Sequence, residues 1–244
     1  SPNNSNFLSG IEKDENNNPY PYLDGVAISF IKDKQSEFME FMLGNSDLLS
    51  GVHPSYKDEL LTRSGELNPR YKDNFQLATE AYLNTEYLAF LVENKFSDSL
   101  SNPLLDVNVR KAINCGFDRI KMIKYLRNNI GEAALHGMVP SGMSLYNQNE
   151  IIGYPYNPDT ALYFLDLAGY PKAEGLGTIT LTTTADYLDL CEYIQFELQK
   201  IGIEIKLELS TGAAFRNLVA NSNLSFFRAS WIADYPDPES YLSL

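Results

Sequence analysis

The run Arg228-Ala-Ser-Trp231-Ile-Ala-Asp234-Tyr-Pro-Asp237-Pro-Glu-Ser-Tyr holds a permanent cation, a flat aromatic ring and an anion in close succession. The residues before Asp234 are largely apolar, and the prolines at 236 and 238 stop any strand there. Arg228, Trp231 and Asp234 at one strand end would suit a zwitterion, such as a peptide with free amino and carboxyl ends. Along a straight strand the two charges would stand about 20 Å apart, the reach of an extended peptide of about five residues. A bend after Trp231 would shorten that span toward a di- or tripeptide.

Each of these residues also has a plainer reading. Asp234 fits a solvated turn carboxylate beside two prolines. Trp231, the single tryptophan, fits a core aromatic, and one face of its ring could still line a pocket. Arg228 lies among residues that favour burial, so its charge needs a partner. A ligand carboxylate and an acid on a neighbouring strand, such as Glu208, are equal candidates. The main chain around Ser230 and Ile232 could pair with an extended peptide, giving affinity that does not depend on its side chains. Asp237 reads as a turn residue. Tyr82, Asn84 and Tyr87 could line a cleft, and hinge packing is the weightier reading for them.

Other chemistries lack their residues. The chain contains no GxSxG, HExxH, Walker or GxGxxG motif. With two histidines, His53 and His136, and two distant cysteines, Cys115 and Cys191, it offers neither a zinc set nor a CxxC pair. Each cysteine falls in a helical apolar pattern and reads as a small buried thiol. No catalytic residue, metal or cofactor is expected. A formal net charge of −13 argues against nucleic acid and anionic membranes as partners. The 244 residues, 44% hydrophobic, are enough for a sizeable core and for one or two compact units, and no apolar run is long enough to span a bilayer.

These residues must be positioned by an α/β framework. Val26, Ile28 and Phe30 alternate as in a strand, and Asp33 caps a helix carrying Phe38, Phe41 and Met42 that ends at Gly44. A short helix is expected near Lys57–Leu61, and two extended pieces around Asn84-Thr85 within Phe75–Val92. Residues 93–103 read as a linker. Asp106, Asp118 and Asn157-Pro158 each start a helix, with a long glycine- and proline-rich loop over 129–156. Thr178–Thr184 is a strand, and Leu190, Ile194, Leu198 and Ile201 mark a helix. A strand follows with Ile203, Ile205, Leu207 and Leu209 on its buried face. A short helix over Ala214–Ala220 and a strand over Leu224–Trp231 complete the pattern. This alternation predicts parallel pairing.

Several blocks resemble the family 5 extracytoplasmic solute-binding proteins, the oligopeptide- and dipeptide-type receptors of ABC importers. They are Asn102-Pro-Leu-Leu-Asp106-Val-Asn-Val-Arg110-Lys-Ala-Ile-Asn114 with Phe117-Asp118-Arg119, Gly137-Met-Val-Pro140-Ser-Gly142, Tyr156-Asn-Pro-Asp159 through Gly169-Tyr170, Leu198-Gln-Lys-Ile201-Gly202-Ile203, and the Arg228–Asp234 run itself. The resemblance covers roughly residues 80 to 241 and implies a type II periplasmic-binding fold, with a parallel-rich sheet and flanking helices. It further implies a chain truncated at both ends, with 1–92 a partial first-lobe segment and 93–244 an incomplete second-lobe ligand-binding domain. In the oligopeptide-binding members a matching aspartate holds the peptide amino end, and the arginine six residues earlier can meet its carboxylate. Here those positions are Asp234 and Arg228. The implied function is capture of short peptides for an ABC permease, by an extracytoplasmic monomer that is either periplasmic or lipid-anchored. The alternatives are another solute of the same family, such as an oligosaccharide, opine or nickel complex, and, further off, a hydrolase.

Overall fold

Four helices begin where a short polar side chain can take a free backbone N–H. Asp33 accepts from Ser36 N (2.8 Å), Asp106 from Asn108 N (2.7 Å), Asp118 from Lys121 N (3.0 Å) and Asn157 from Thr160 N (2.9 Å). The computed structural model describes residues 15–17, 20, 22–23, 25–79, 82–93, 102–143, 147, 150–151 and 153–243. Two compact units divide the chain, Ser1–His53 and Pro54–Leu244. The expected boundary at 92/93 adjoins residues 94–101, and these, with most of the expected linker, lie outside the described residues.

In the first unit, helix α1 (Lys34–Met42) buries Phe38, and Gly44 follows with φ +77°. The strand expected around Val26, Ile28 and Phe30 does not form: all three side chains are exposed, and residues 25–32 have no strand partner. Alternation sets which side chains share a face but cannot supply the second strand that would take the backbone hydrogen bonds.

The second unit opens with the short helix α2 (Lys57–Leu60). Strand β1 (Asn84–Phe90) comes next. Among the described residues of 75–92 one strand forms, and it opens at Asn84-Thr85 instead of breaking there into two extended pieces. Helices α3 (Val107–Cys115), α4 (Arg119–Leu126) and α5 (Pro158–Leu167) follow. The alternating half is β2 (Ile179–Thr183), α6 (Leu188–Gln199), β3 (Ile205–Leu209), α7 (Gly212–Ala220), β4 (Phe226–Ile232) and the single-turn α8 (Glu239–Leu242).

The four strands form one sheet in the order β1-β4-β2-β3. As expected, β2 and β3 are parallel, from Ile179↔Ile205 to Thr183↔Leu209, and β4 meets β2 in parallel at Thr182↔Phe227. Strand β1 runs antiparallel to β4, from Asn84↔Ile232 to Phe90↔Phe226.

The core joins Val109, Ala112 and Ile113 of α3, Ala161 and Leu165 of α5, Leu198 of α6, Leu181 of β2 and Phe226 of β4. Phe226 stacks on Phe90 across the ladder with ring centroids 4.7 Å apart. On the other side of β4, Phe227 meets Phe215 of α7 edge-on at 6.0 Å. Cys115 and Cys191 are free and buried, and burial pushes both thiols up. Among the described residues no helix is long and apolar enough to cross a membrane, and no cluster of histidine, cysteine and carboxylate side chains could hold a metal ion.

Candidate ligand-binding site

Strand β4 has one paired edge and one that becomes free. At the two ends of its ladder with β1, Leu91 N donates to Ser225 O and Ala233 N to Leu83 O, both at 2.9 Å. An antiparallel ladder alternates, so the odd-numbered residues of β4 bond to β1 and the even-numbered ones turn their N–H and C=O away. Phe226 and Arg228 meet β2, which ends at Thr183. Beyond it, the main-chain groups of Ser230 and Ile232 face an edge that carries no strand among the described residues. Both residues are exposed.

Asp234 lies two residues past the end of β4 and is exposed. Its backbone N–H donates to Ser240 Oγ at 3.2 Å, and Trp231 Nε1 donates to the same oxygen at 3.2 Å. The buried Ser240 thus ties the strand end to the first turn of α8. Asp237 holds that turn by accepting from Glu239 N at 2.9 Å. No described residue gives the Asp234 carboxylate a hydrogen bond or an ion pair, so the carboxylate is available to an incoming cation.

Arg228 and Trp231 do not share a face. They are three residues apart on a strand, which puts their side chains on opposite sides. Trp231 points toward α8. Arg228 lies over the ring of Tyr187, with Cζ 3.1 Å from the centroid, and forms an ion pair with Glu86. Glu86 is the register partner of Ser230, so it reaches Arg228 diagonally on the same face of the β1–β4 pair. Glu208, the acid offered as a candidate from the sequence, is on β3, with β2 between it and β4. The Glu86 contact lacks hydrogen-bond geometry, and Nε and Nη2 of Arg228 are buried without a hydrogen-bond partner. Burial pushes the guanidinium pKa down to about 10.

A cavity of about 530 Å³ opens beside Arg228, at the carboxyl ends of β2 and β3. In open α/β sheets that is where ligands bind. Its wall includes Thr184, Asp186, Ser210, Thr211 and Arg216. Tyr87, named from the sequence as hinge or cleft, follows Glu86 on β1. Tyr82 is exposed, and the side-chain nitrogen of Asn84 donates to Glu86 Oε1 at 3.0 Å. Sequence reasoning missed Glu86, Tyr187 and Arg216. A sequence marks none of these contacts, because cross-strand register and a turn after β2 bring them together.

The chain belongs to the bacterial extracellular solute-binding proteins, family 5, whose model matches residues 10–244. Similar proteins include heme-binding protein A of Haemophilus influenzae, 27% identical over 227 residues, covering 91% of this chain and 38% of that protein. Among solved structures, the ABC transporter-associated periplasmic binding protein DppA of Helicobacter pylori, in complex with the peptide STSA, is similar with a TM-score of 0.68 at 23% identity, covering 87% of this chain and 38% of that one. NikA of Brucella suis, in complex with Fe(III)-EDTA, gives 0.68 at 21% identity, covering 87% of this chain and 42% of that one. The fold is therefore that of the type II periplasmic binding proteins. The chain spans well under half the length of these relatives.

Proposed function

We propose that the full-length protein is the substrate-binding component of an ABC importer and that it captures short peptides without chemical change. The observation that carries this reading is the free edge of β4 at Ser230 and Ile232, next to the free carboxylate of Asp234. An extended peptide would pair its main chain with Ser230 and Ile232, and its amino end would meet Asp234. Main-chain pairing accommodates varied side chains, and the carboxylate fixes the register. Trp231, tied to Ser240, holds the turn that presents Asp234. Residues 93–244, with strand β1 completing their sheet, supply most of the ligand-binding lobe. The receptor acts as a monomer outside the cytoplasmic membrane, held there by a lipid anchor, and passes its cargo to a membrane permease.

The peptide-bound Helicobacter relative supports a peptide over the alternatives, while the Haemophilus heme-binding protein and the Brucella protein in complex with Fe(III)-EDTA define the rivals. The test is calorimetric titration of the full-length protein with alanine-based di- to pentapeptides, oligosaccharides, heme and metal chelates in parallel. Heat from peptides, and none from the other solutes, is the expected result. Binding of heme or a chelate with no response to any peptide would keep the family and reject the ligand.

A further inference from the structure

We infer that Glu86 is a specificity-determining residue. It is a carboxylate of the fold itself, placed where a ligand's carboxylate could otherwise join Arg228, and it leaves the receptor indifferent to a carboxyl end at that point of the peptide. This rests on the peptide reading above and adds which ends and lengths of peptide the site accepts.

The register of the β1–β4 ladder puts Glu86 in this position. Asn84 is opposite Ile232, Glu86 opposite Ser230 and Leu88 opposite Arg228. These six side chains share one face of the ladder. On that face Arg228 is the cation and Glu86 the anion, one diagonal step apart, and they form an ion pair. The side-chain nitrogen of Asn84 donates to Glu86 Oε1 at 3.0 Å, which leaves Oε2 turned to Arg228. The ring of Tyr187 covers the guanidinium, with Cζ 3.1 Å from its centroid. The Arg228 side chain is 13% exposed and that of Glu86 is 38% exposed. The cation is thus the more enclosed partner, and an arriving anion must displace Glu86 to reach it.

That exchange gains little. One carboxylate replaces another on the same guanidinium, and the newcomer is brought close to a like charge. A fixed like charge acts against one class of ligand while leaving neutral ones untouched. Beside Arg228, the cavity wall carries one further cation, Arg216, and one anion, Asp186. With Glu86 counted, the two signs balance. A peptide anchored at Asp234 and following Ile232 and Ser230 back along β4 therefore passes Arg228 with no gain from ending there. Peptides that stop at Arg228, peptides that continue beyond it and peptides with a neutral end are then accepted alike.

Alanine peptides of three to seven residues, each as the free acid and as the C-terminal amide, test this. They are titrated into the full-length wild type, Glu86→Gln and the double variant Glu86→Gln/Arg228→Gln. The quantity read is the ratio of the two dissociation constants at each length. In the wild type the free acid binds no more than about twofold tighter than its amide at any length. In Glu86→Gln a preference for the free acid of roughly tenfold appears at the length whose end reaches Arg228, and the double variant abolishes it. Where Glu86→Gln does not fold, Glu86→Asp keeps a counter-charge one methylene short of Arg228, and its preference falls between about twofold and tenfold. A wild type that already prefers the free acid tenfold at one length overturns the inference, because Arg228 is then open to the ligand. Ratios in the Glu86 variants as flat as in the wild type overturn it too, because Glu86 is then not what silences Arg228. Either result leaves the peptide reading standing. Failure of every peptide to bind the wild type overturns both.

Discussion

Asp234 and Arg228 are separated by a single strand end, yet their surroundings differ. Asp234 is exposed and no described residue pairs with its carboxylate, whereas Arg228 is largely covered and paired with Glu86. The pair predicts an asymmetric mutational response. Replacing Glu86 by Ala leaves a mostly buried guanidinium without its counter-ion. For fully buried pairs such a loss costs roughly 3–5 kcal/mol. Because the Glu86 side chain is 38% exposed, solvent screening lowers the expected cost to about 1–2 kcal/mol. The double variant Glu86→Leu/Arg228→Met should be less destabilised than Glu86→Ala alone, because no charge is stranded. Urea unfolding of the full-length protein measures both. The types of the site residues were legible in the sequence, and their grouping only partly. The spacing of three between Arg228 and Trp231 already implies opposite faces on a strand. Glu86 is 142 positions from Arg228 in the chain, and nothing local to either residue encodes the register that joins them.

At the scale of elements, the helices were legible because their start signals are local. Asp106, Asp118 and Asn157 each cap the helix that begins just after them. The free edge of β4 was not legible, since it depends on where β2 stops. One link between elements has a pH signature. Arg127, at the end of α4, forms a fork to Asp189 in the first turn of α6, with Nη1–Oδ2 at 2.6 Å and Nη2–Oδ1 at 3.1 Å. Burial alone would raise the Asp189 pKa, but the Arg127 fork outweighs it and the net shift is downward. A carboxyl depressed in the folded state stabilises fully above its ordinary range near about 4. That contribution is lost as pH falls through the lower folded-state value. Arg127→Leu should therefore lower stability at pH 7 by about 0.5–1 kcal/mol and flatten the acid limb below about pH 4. An unchanged acid limb, in urea unfolding across pH, would contradict this link.

The turn between α6 and β3 makes a second element-scale prediction. Gly202 has φ +88°, and a Cβ there would run into the Lys172 carbonyl oxygen. Gly202→Ala should cost about 2 kcal/mol or more, through both backbone strain and that collision. A loss within about 0.5 kcal/mol, the range of ordinary surface changes, would mean that the turn relaxes freely.

For the whole molecule, the family and the strand–helix alternation were legible, but the extent of pairing was not. Val26, Ile28 and Phe30 alternate as well as Ile203, Ile205 and Leu207 do. Among the described residues, Ile205 and Leu207 pair with β2 and all three of the latter pack into or against the core, whereas the former have no neighbouring strand. Receptors with this fold close two lobes over the ligand. Adding the peptide identified by titration should thus reduce the radius of gyration of the full-length protein in small-angle scattering. An unchanged radius at saturation would argue that capture occurs without closure.

The central claim is that Asp234 holds the amino end of an extended peptide paired with the edge of β4. Its most direct test is a double cycle: a free and an amino-acetylated form of one peptide, each titrated into wild-type and Asp234→Ala full-length protein. The account predicts a strong loss for the free peptide on Asp234→Ala, little change for the acetylated one, and a coupling of about 1.5–3 kcal/mol. Equal losses for the two peptides would contradict it.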